Sequence, residues 1–503
     1  MESRVSPELP DPCADLHWSA FRGAIQDIFS AYARQHPDRL CVAETASSTS
    51  PRRAFTYRQI DEASNVLAHH LLQAGVQRGD VVMSYSFRGV DLVVTFMGIL
   101  KAGGTICVID PLYPPDRQII YLDVARPRAL LIIDKASKEA GQLSDKVRTF
   151  IDEQLELRTE VPALQLLDDG SLQGGSIVNG NDILHGLPTS APNTLVGPDS
   201  IATLSFTSGS EGRPKGVQGR HYSLAYYFDW MAERFHLSSE DRFTMLSGIA
   251  HDPIQRDIFT PLFLGAHIMV PSREHIGHRL LAEWMRDERV TVTHLTPAMG
   301  QILVGEALDV GVPSLHHAFF VGDILIKRDC RALQAVAENC YIVNMYGTTE
   351  TNRAVSYYEI PSRRVDPNYL ETRLAGNAIP AGKGMMDVQL LVVDRDDPAR
   401  PMCPVGKVGE IYVRAGGLAE GYLANAELTE KKFVPNWFVD NQRWVEEDAR
   451  RAGEGEMEPW RRFYKGPRDR LYRSGDLGVY IESGDVECVG RADDQVGLAL
   501  DIP

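Results

Sequence analysis

The feature of this sequence that most restricts its fold is an alternation of helix-like and strand-like segments through more than half of the chain. Apolar residues recur at helical spacing from Ile60 to Leu71, and Gly75 stands where that helix should end. Apolar runs typical of buried strands follow at 81–83 and, after a second helix, at 105–109. Such alternation predicts parallel sheets that are covered by helices on both faces.

The pattern changes after Pro380, where short strands alternate with turns, as at 388–393 and 409–413. This change predicts a smaller, β-rich and barrel-like subdomain after two α/β subdomains. The stretch 168–200 is rich in Gly, Asn, Ser and Pro and is expected to be a surface linker. The charged, Trp-containing stretch 440–470 is expected to be a solvated loop or helix.

Composition excludes several classes of function. Lys and Arg number 52 against 68 for Asp and Glu, and the net charge of −16 disfavours a nucleic-acid or anionic-membrane surface. The seven cysteines are scattered without a C-x-x-C pair, which favours free thiols in a reducing compartment over disulfides or a zinc site. The chain starts without an apolar signal core, and its most apolar stretch, 92–100, is too short to span a bilayer. We therefore expect a soluble, cytoplasmic protein.

A segment dense in hydroxyls and glycines, 204–216, follows a strand-like run. Its backbone N–H and side-chain O–H groups could surround phosphate oxygens, with Lys215 as the counter-charge. It is not a Walker loop, because Gly216 follows Lys215 where Ser or Thr is required. It is not the nucleophile elbow of a hydrolase either, because Ser208 stands where the first glycine would be. Taken alone, the segment could equally be a flexible turn.

Two further motifs follow strand-like segments. The segment 344–350 lies at the end of the strand 341–343, which is where open α/β sheets bind ligands. Its Glu350 could hold Mg²⁺ or could be a solvated side chain. The segment 472–477 places Asp476 in a turn, where its carboxylate would suit the vicinal hydroxyls of a ribose or would serve only the turn.

In their order and spacing these motifs resemble the adenylate-forming superfamily, which comprises acyl-CoA synthetases, luciferases and the adenylation domains of peptide synthetases. The resemblance runs from about 55 to 496 and includes the segments 100–104, 409–411 and 490–496. It implies the adenylate-forming fold, with ATP in the cleft beside the strand that precedes Gly347. The implied parts are an N-terminal extension with the first helix (1–50), an AMP-binding α/β core (51–376) and a β-rich subdomain up to a hinge (377–496).

Four more segments, at 219–227, 247–257, 294–300 and 316–323, resemble the fungal aminoadipate reductase family. This resemblance implies ATP-dependent adenylation of the side-chain carboxylate of L-2-aminoadipate, the first step of its reduction to the semialdehyde in lysine biosynthesis. In that family a phosphopantetheinyl carrier domain accepts the acyl group, and an NADPH-dependent domain reduces it. The implied cofactors are ATP and Mg²⁺, with phosphopantetheine and NADPH expected only on family domains outside this sequence.

The resemblance also implies the roles of individual residues. Thr349 would lie at the α-phosphate and Glu350 at Mg²⁺, while Asp476 would bind the ribose hydroxyls and Arg491 would lie close to the nucleotide. Such a site must screen charge, because a carboxylate attacks the α-phosphorus of ATP. The implied catalytic residues are Lys215, Thr349, Glu350 and His251. The other implied ATP-binding residues are Thr207, Ser208, Gly209, Ser210, Gly212, Asn344, Tyr346, Gly347 and Thr348.

Substrate choice follows from a second consideration. In amino-acid-activating relatives, the residue at the position of Asp252 pairs with the substrate ammonium beside the reacting carboxylate. Aminoadipate that reacts at its side chain carries its ammonium and second carboxylate at the far end, so the pocket needs a cation there. Arg256 lies one helical turn after Asp252, and its planar fork could clamp that carboxylate. Arg256 could instead pair simply with Asp252 or Asp257.

The C-terminal end departs from the superfamily pattern. The hinge motif of the superfamily continues into Lys-Ile-Arg-Gly and a lid domain with a catalytic lysine, whereas 497–503 does not resemble this continuation. We therefore expect an aberrant, truncated tail at 497–503, an absent C-terminal lid domain and partial activity. Two other functions stay open: a non-catalytic ATP-binding paralogue, and adenylation of a different carboxylic acid.

Overall fold

The computed structural model describes residues 8–492 apart from 17, 19, 49, 176–181, 208–212, 278, 308–309 and 455–457. The helices are α1 Ile25–Gln35, α2 Tyr57–Gln73, α3 Val90–Lys101, α4 Pro115–Ala125, α5 Asp134–Ala140, α6 Asp145–Gln154, α7 Phe228–Arg234, α8 Pro253–Leu264, α9 Arg273–Gly277, α10 Leu281–Asp287, α11 Pro297–Ala307, α12 Lys327–Val336, α13 Tyr369–Thr372, α14 Ala426–Lys432 and α15 Asn441–Glu454. The strands are β1 Leu40–Glu44, β2 Arg53–Thr56, β3 Val81–Tyr85, β4 Thr105–Ile109, β5 Ala129–Ile133, β6 Thr159–Leu166, β7 Leu172–Gln173, β8 Ile201–Thr207, β9 Lys215–Arg220, β10 Arg242–Thr244, β11 His267–Val270, β12 Val292–Leu295, β13 His317–Phe320, β14 Tyr341–Tyr346, β15 Ser356–Ile360, β16 Lys383–Gly384, β17 Val388–Val393, β18 Val408–Ala415, β19 Gly421–Tyr422, β20 Phe433–Pro435, β21 Arg470–Tyr480 and β22 Val486–Arg491.

Two large sheets form the α/β part of the molecule. One has the order β16-β15-β14-β13-β12-β10-β11-β1-β2, and the other has the order β19-β9-β8-β4-β3-β5-β6-β7. Their central strands are parallel, as predicted, but strands at both edges of each sheet are antiparallel. The all-parallel expectation was wrong there because short connections, such as 208–214 between β8 and β9, cannot make the longer crossover that parallel neighbours require.

A layer of helices lies between the two sheets. α3 is buried along its whole length and packs against β1 of one sheet and β4, β5 and β6 of the other. α2 begins with a capping box, in which the Thr56 side chain accepts from the Gln59 backbone N–H and the Gln59 side chain accepts from Thr56. α2 and α3 approach so closely that a side chain at Gly98 would lie 2.7 Å from Leu67. The helix and the strands expected from 60–71, 81–83 and 105–109 are therefore confirmed.

The third sheet, with the order β17-β18-β21-β20 and β22 also on β21, is antiparallel throughout. The expected β-rich part is confirmed, but its sheet is open and not a closed barrel, because β17 and β20 do not pair in the described residues. The insertion at 440–470 contains α15. The short strand β19 leaves this part of the chain and pairs with β9 of the eight-stranded sheet. The division of the chain at 376 and 377 stays a prediction.

Among the described residues, the structure contains no helix with the length and apolar character needed to cross a membrane.

Candidate functional site

The predicted site residues gather where β8 and β14 end and where β9 begins. Thr207 is the last residue of β8 and pairs with Lys215, the first residue of β9. The two residues therefore stand at the base of the hydroxyl-rich turn that was expected to bind phosphates. The other predicted residues of that turn lie outside the described residues: Ser208, Gly209, Ser210 and Gly212.

The backbone around Gly347 is tightly packed. A Cβ atom at Gly347 would lie 2.7 Å from the carbonyl oxygen of Arg353 and 2.8 Å from Cα of Ala354, so only glycine fits. Asn344 donates through Nδ2 to the carbonyl oxygens of Ile379 and Pro380, at 3.1 and 2.8 Å. These bonds fix the amide of Asn344 against the chain that leads into the β-rich part.

Asp476 is held by two residues that the sequence also assigned to the nucleotide. Its Oδ2 accepts from the Tyr346 hydroxyl at 2.5 Å, and its Oδ1 accepts from Arg491 Nη1 at 2.7 Å. Burial and the charge of Asp476 raise the pKa of the Tyr346 hydroxyl well above its usual value, which keeps that hydroxyl a donor. The predicted residues Tyr346, Asp476 and Arg491 thus lie together across the boundary between β14 and the β-rich part.

Glu350 is a buried carboxylate with few partners. Its side chain is 9% exposed, and its Oε1 accepts from the Tyr422 hydroxyl at 2.7 Å. It forms no ion pair within the part of the chain that the structure describes. A single buried carboxylate without a cation fits Mg²⁺, which proteins bind through one or two carboxylates together with substrate phosphates. No cluster of three or more potential metal-ligating side chains is present among the described residues.

Thr349 connects the nucleotide motif to α8. Its hydroxyl donates to Asp252 Oδ1 at 2.7 Å, and Asp252 is the residue that precedes α8. His251, the preceding residue, lies with Nε2 3.3 Å from the Tyr113 hydroxyl. The predicted substrate residue Asp252 and the predicted catalytic residues Thr349 and His251 are therefore neighbours.

Arg256 lies on α8 and is only 7% exposed. It makes no hydrogen bond or ion pair with another residue in the described parts of the chain. The neighbouring carboxylates contact other groups: Asp252 Oδ1 accepts from Thr349, Asp257 Oδ2 accepts from two backbone N–H groups at 2.8 Å, and Asp257 Oδ1 lies 3.4 Å from His294 Nδ1. The simple pairing of Arg256 with Asp252 or Asp257 is therefore not observed.

Sequence reasoning missed a second buried guanidinium, that of Arg353. It is 2% exposed and donates through Nη1 to Gln255 Oε1 at 3.1 Å, while Nε and Nη2 are buried without a partner among the described residues. Burial lowers the pKa of Arg353, and the nearby charge of Arg256 lowers it further. In the sequence, Arg353 is simply an arginine three residues after Glu350, a position that is typical of an ordinary turn residue, so no pattern indicated its burial. Tyr422 was missed too, because its strand has only two residues.

The comparisons with known proteins agree with this geometry. The family model for AMP-binding enzymes matches residues 29–423, so this chain belongs to the AMP-binding enzyme family. The chain is 67% identical over 493 residues to the L-2-aminoadipate reductase large subunit of Penicillium chrysogenum, an alignment that covers 97% of this chain and 34% of the relative. It is 57% identical over 496 residues to the L-2-aminoadipate reductase of Saccharomyces cerevisiae, with 97% and 35% covered. The chain therefore spans about a third of the length of these curated relatives.

Solved structures support the fold. The nonribosomal peptide synthetase FmoA3 in its AMPPNP-bound form is similar with a TM-score of 0.73 and 26% sequence identity, and the match covers 96% of this chain and 44% of that chain. The predicted adenylate-forming fold and the predicted family are thereby confirmed. The roles of individual site residues stay predictions.

Proposed function

We propose that this chain adenylates the side-chain carboxylate of L-2-aminoadipate with ATP. The observation that carries the proposal is a pair of buried arginines: Arg256 forms no hydrogen bond or ion pair with the described residues, and Nε and Nη2 of Arg353 are buried without a hydrogen-bond partner among them. A buried charge without a partner costs several kcal/mol, so such a pocket favours a ligand that brings an anion deep inside. The similarity to relatives named L-2-aminoadipate reductase supports the same substrate.

The two arginines suit the carboxylate at the far end of aminoadipate. Asp252 would line the substrate site nearer to ATP, because it accepts from Thr349, the residue assigned to the α-phosphate. Arg256 would clamp the α-carboxylate with two parallel hydrogen bonds, and the unpartnered Nε and Nη2 of Arg353 would donate to the same group. The δ-carboxylate would then remain at the end of the pocket that faces ATP.

The reaction joins that δ-carboxylate to the nucleotide. A carboxylate oxygen forms a bond to the α-phosphorus, the bond to the bridging oxygen breaks, and pyrophosphate leaves with the electron pair. Thr349 would lie at the α-phosphate and Lys215 would screen the departing pyrophosphate. Asp476, oriented by Tyr346 and Arg491, would accept from the ribose hydroxyls.

Two further assignments complete the site. Glu350 would hold Mg²⁺, which when bound would neutralise phosphate charge. His251 would lie at the reacting end of the substrate, since it precedes Asp252 and its ring contacts Tyr113. Thr207 to Gly212 would surround the phosphates, and the 344–348 segment would bind the remainder of ATP.

We further propose that the acyl group passes to a phosphopantetheinyl carrier domain and is reduced by an NADPH-dependent domain in the longer context of the relatives. A cytoplasmic location is part of this proposal, and it is supported by the seven cysteines, all of which are free.

Substrate-dependent exchange of pyrophosphate into ATP tests the proposal. We expect exchange with L-2-aminoadipate and much weaker exchange with L-glutamate, which is one methylene shorter, or with benzoate. Exchange only with another acid would contradict the substrate assignment. ATP binding without any exchange would favour a non-catalytic nucleotide-binding protein.

A further inference from the structure

Tyr422 lies between two groups that the proposed function assigns to the ATP phosphates and their metal ion. Its hydroxyl donates to Glu350 Oε1 at 2.7 Å, and Lys215 Nζ lies 6.0 Å from the centre of its ring. The role inferred below rests on the proposed function, because it acts through Glu350.

Several contacts fix Tyr422 in place. Within β19 it pairs with Val217 of β9, and its backbone N–H donates to Thr429 Oγ1 at 2.9 Å. Its ring meets the ring of Phe433 edge-on at 5.9 Å. The next backbone N–H, that of Leu423, donates to the Gly216 carbonyl at 2.7 Å. The hydroxyl therefore reaches Glu350 from a rigid position that is tied to the strand carrying Lys215.

Glu350 has one oxygen engaged and one available. Oε1 accepts from Tyr422, and Oε2 has no hydrogen-bond partner among the residues that the structure describes. The Glu350 backbone is held as well, because its carbonyl accepts from Ala419 N–H at 2.9 Å.

We propose that Tyr422 is a positioning residue that orients Glu350 so that its second oxygen is presented to Mg²⁺. Donors behind a metal-ligating carboxylate fix its rotamer, and their loss typically costs about 10- to 100-fold in metal affinity. The ring makes a separate contribution, since its face supports the Lys215 ammonium.

Two substitutions separate these contributions. Tyr422→Phe keeps the ring and removes the hydroxyl, so it should change the metal dependence and leave the contact with Lys215. Tyr422→Leu removes both and should also weaken nucleotide binding at saturating Mg²⁺. Tyr480→Phe is the matched control, because Tyr480 is a buried tyrosine of the same β-rich part whose hydroxyl donates to the Leu390 carbonyl at 2.8 Å, away from the site.

The experiment is the binding of AMPPNP to the full chain, measured by calorimetry over a range of free Mg²⁺. Tyr422→Phe should need about 10- to 100-fold more Mg²⁺ for half-maximal binding, whereas Tyr480→Phe should behave as the wild type. Electron paramagnetic resonance of Mn²⁺ with AMPPNP gives a direct readout of the metal, and thermal melting verifies that each variant is folded.

A double-substitution series tests the route of action. If Tyr422 acts through Glu350, adding Tyr422→Phe to Glu350→Gln should have no further effect on the Mg²⁺ dependence. Suppose that the wild type clearly requires Mg²⁺ and that folded Tyr422→Phe requires the same concentration. This result would overturn the role of Tyr422 and leave the proposed function standing. A wild type that binds AMPPNP without regard to Mg²⁺ would overturn the Glu350 assignment and this proposal together.

Discussion

Arg256→Met is the substitution that most directly tests the substrate pocket. Arg256 is 7% exposed and forms no hydrogen bond or ion pair with another residue in the described parts of the chain. Methionine has a similar length and brings no charge, so the change breaks no hydrogen bond or ion pair among the described residues. We therefore expect Arg256→Met to melt at or above the wild-type temperature in the absence of ligand.

Arg414→Met provides a matched contrast. Arg414 is 1% exposed, but it donates to both carboxylate oxygens of Asp469, at 3.1 and 2.6 Å. Its removal strands a buried carboxylate and should destabilise the protein by about 3–5 kcal/mol. Opposite effects on melting temperature from two buried arginines would show that Arg256 serves a ligand and Arg414 serves the fold.

The functional effect of Arg256→Met concerns selectivity. A charge-assisted hydrogen bond contributes about 1.5–3 kcal/mol, which corresponds to roughly ten- to a hundred-fold in a rate or affinity ratio. The assay compares kcat/KM of pyrophosphate exchange for L-2-aminoadipate and for 5-aminopentanoate, which lacks the α-carboxylate. The wild type should favour aminoadipate, and Arg256→Met should lose most of that preference. If the folded variant discriminates between the two acids as well as the wild type does, Arg256 does not bind the α-carboxylate.

Three other predictions follow from the geometry. Lys215→Ala should raise KM for ATP by roughly ten- to a hundred-fold without lowering the melting temperature, and unchanged ATP dependence would contradict its assignment. Gly347→Ala should abolish exchange and lower stability, because the added Cβ would lie 2.7 Å from the Arg353 carbonyl oxygen, whereas Gly305→Ala in α11 enters open space and should be tolerated. Burial lowers the pKa of the Lys101 ammonium from 10.5 to about 8, so between those values the unfolded chain binds more protons and the free energy of unfolding rises with pH. That difference of about 2.5 in pKa corresponds to a rise of about 3 kcal/mol at most in the free energy of unfolding. Urea unfolding at several pH values measures this rise, which should be absent in Lys101→Met.

The parts of the fold that depend on local sequence patterns were predictable. The spacing from Ile60 to Leu71 identified α2, and the apolar run at 388–393 matches β17 at both ends. The antiparallel edges were not predictable in this way, because strand direction depends on which distant segment pairs with which. The open form of the third sheet was not predictable either. A sheet closes into a barrel only when its two edge strands, here β17 and β20, pair with each other, and the sequence of either strand alone does not show this.

The candidate site shows the same limit. The motifs indicated Thr349 and Asp252 separately, but their hydrogen bond joins residues 97 positions apart, and no local pattern predicts it. Arg353 and Tyr422 were missed because they matter to the site only as buried side chains. Burial depends on packing between elements that are distant in the sequence, and local patterns do not show it. Sequence alone therefore identified the chemistry of the site better than the partners that orient it.

The pairing of β19 with β9 has a consequence for how this molecule can be divided. A chain cut before β19 would leave β9 as an uncovered edge, and unpaired edges recruit other strands and promote aggregation. It would also take the Tyr422 hydroxyl away from Glu350. The α/β sheets and the β-rich sheet should therefore unfold as one cooperative unit, and an expression boundary between them should yield insoluble protein, even though the sequence pattern changes there.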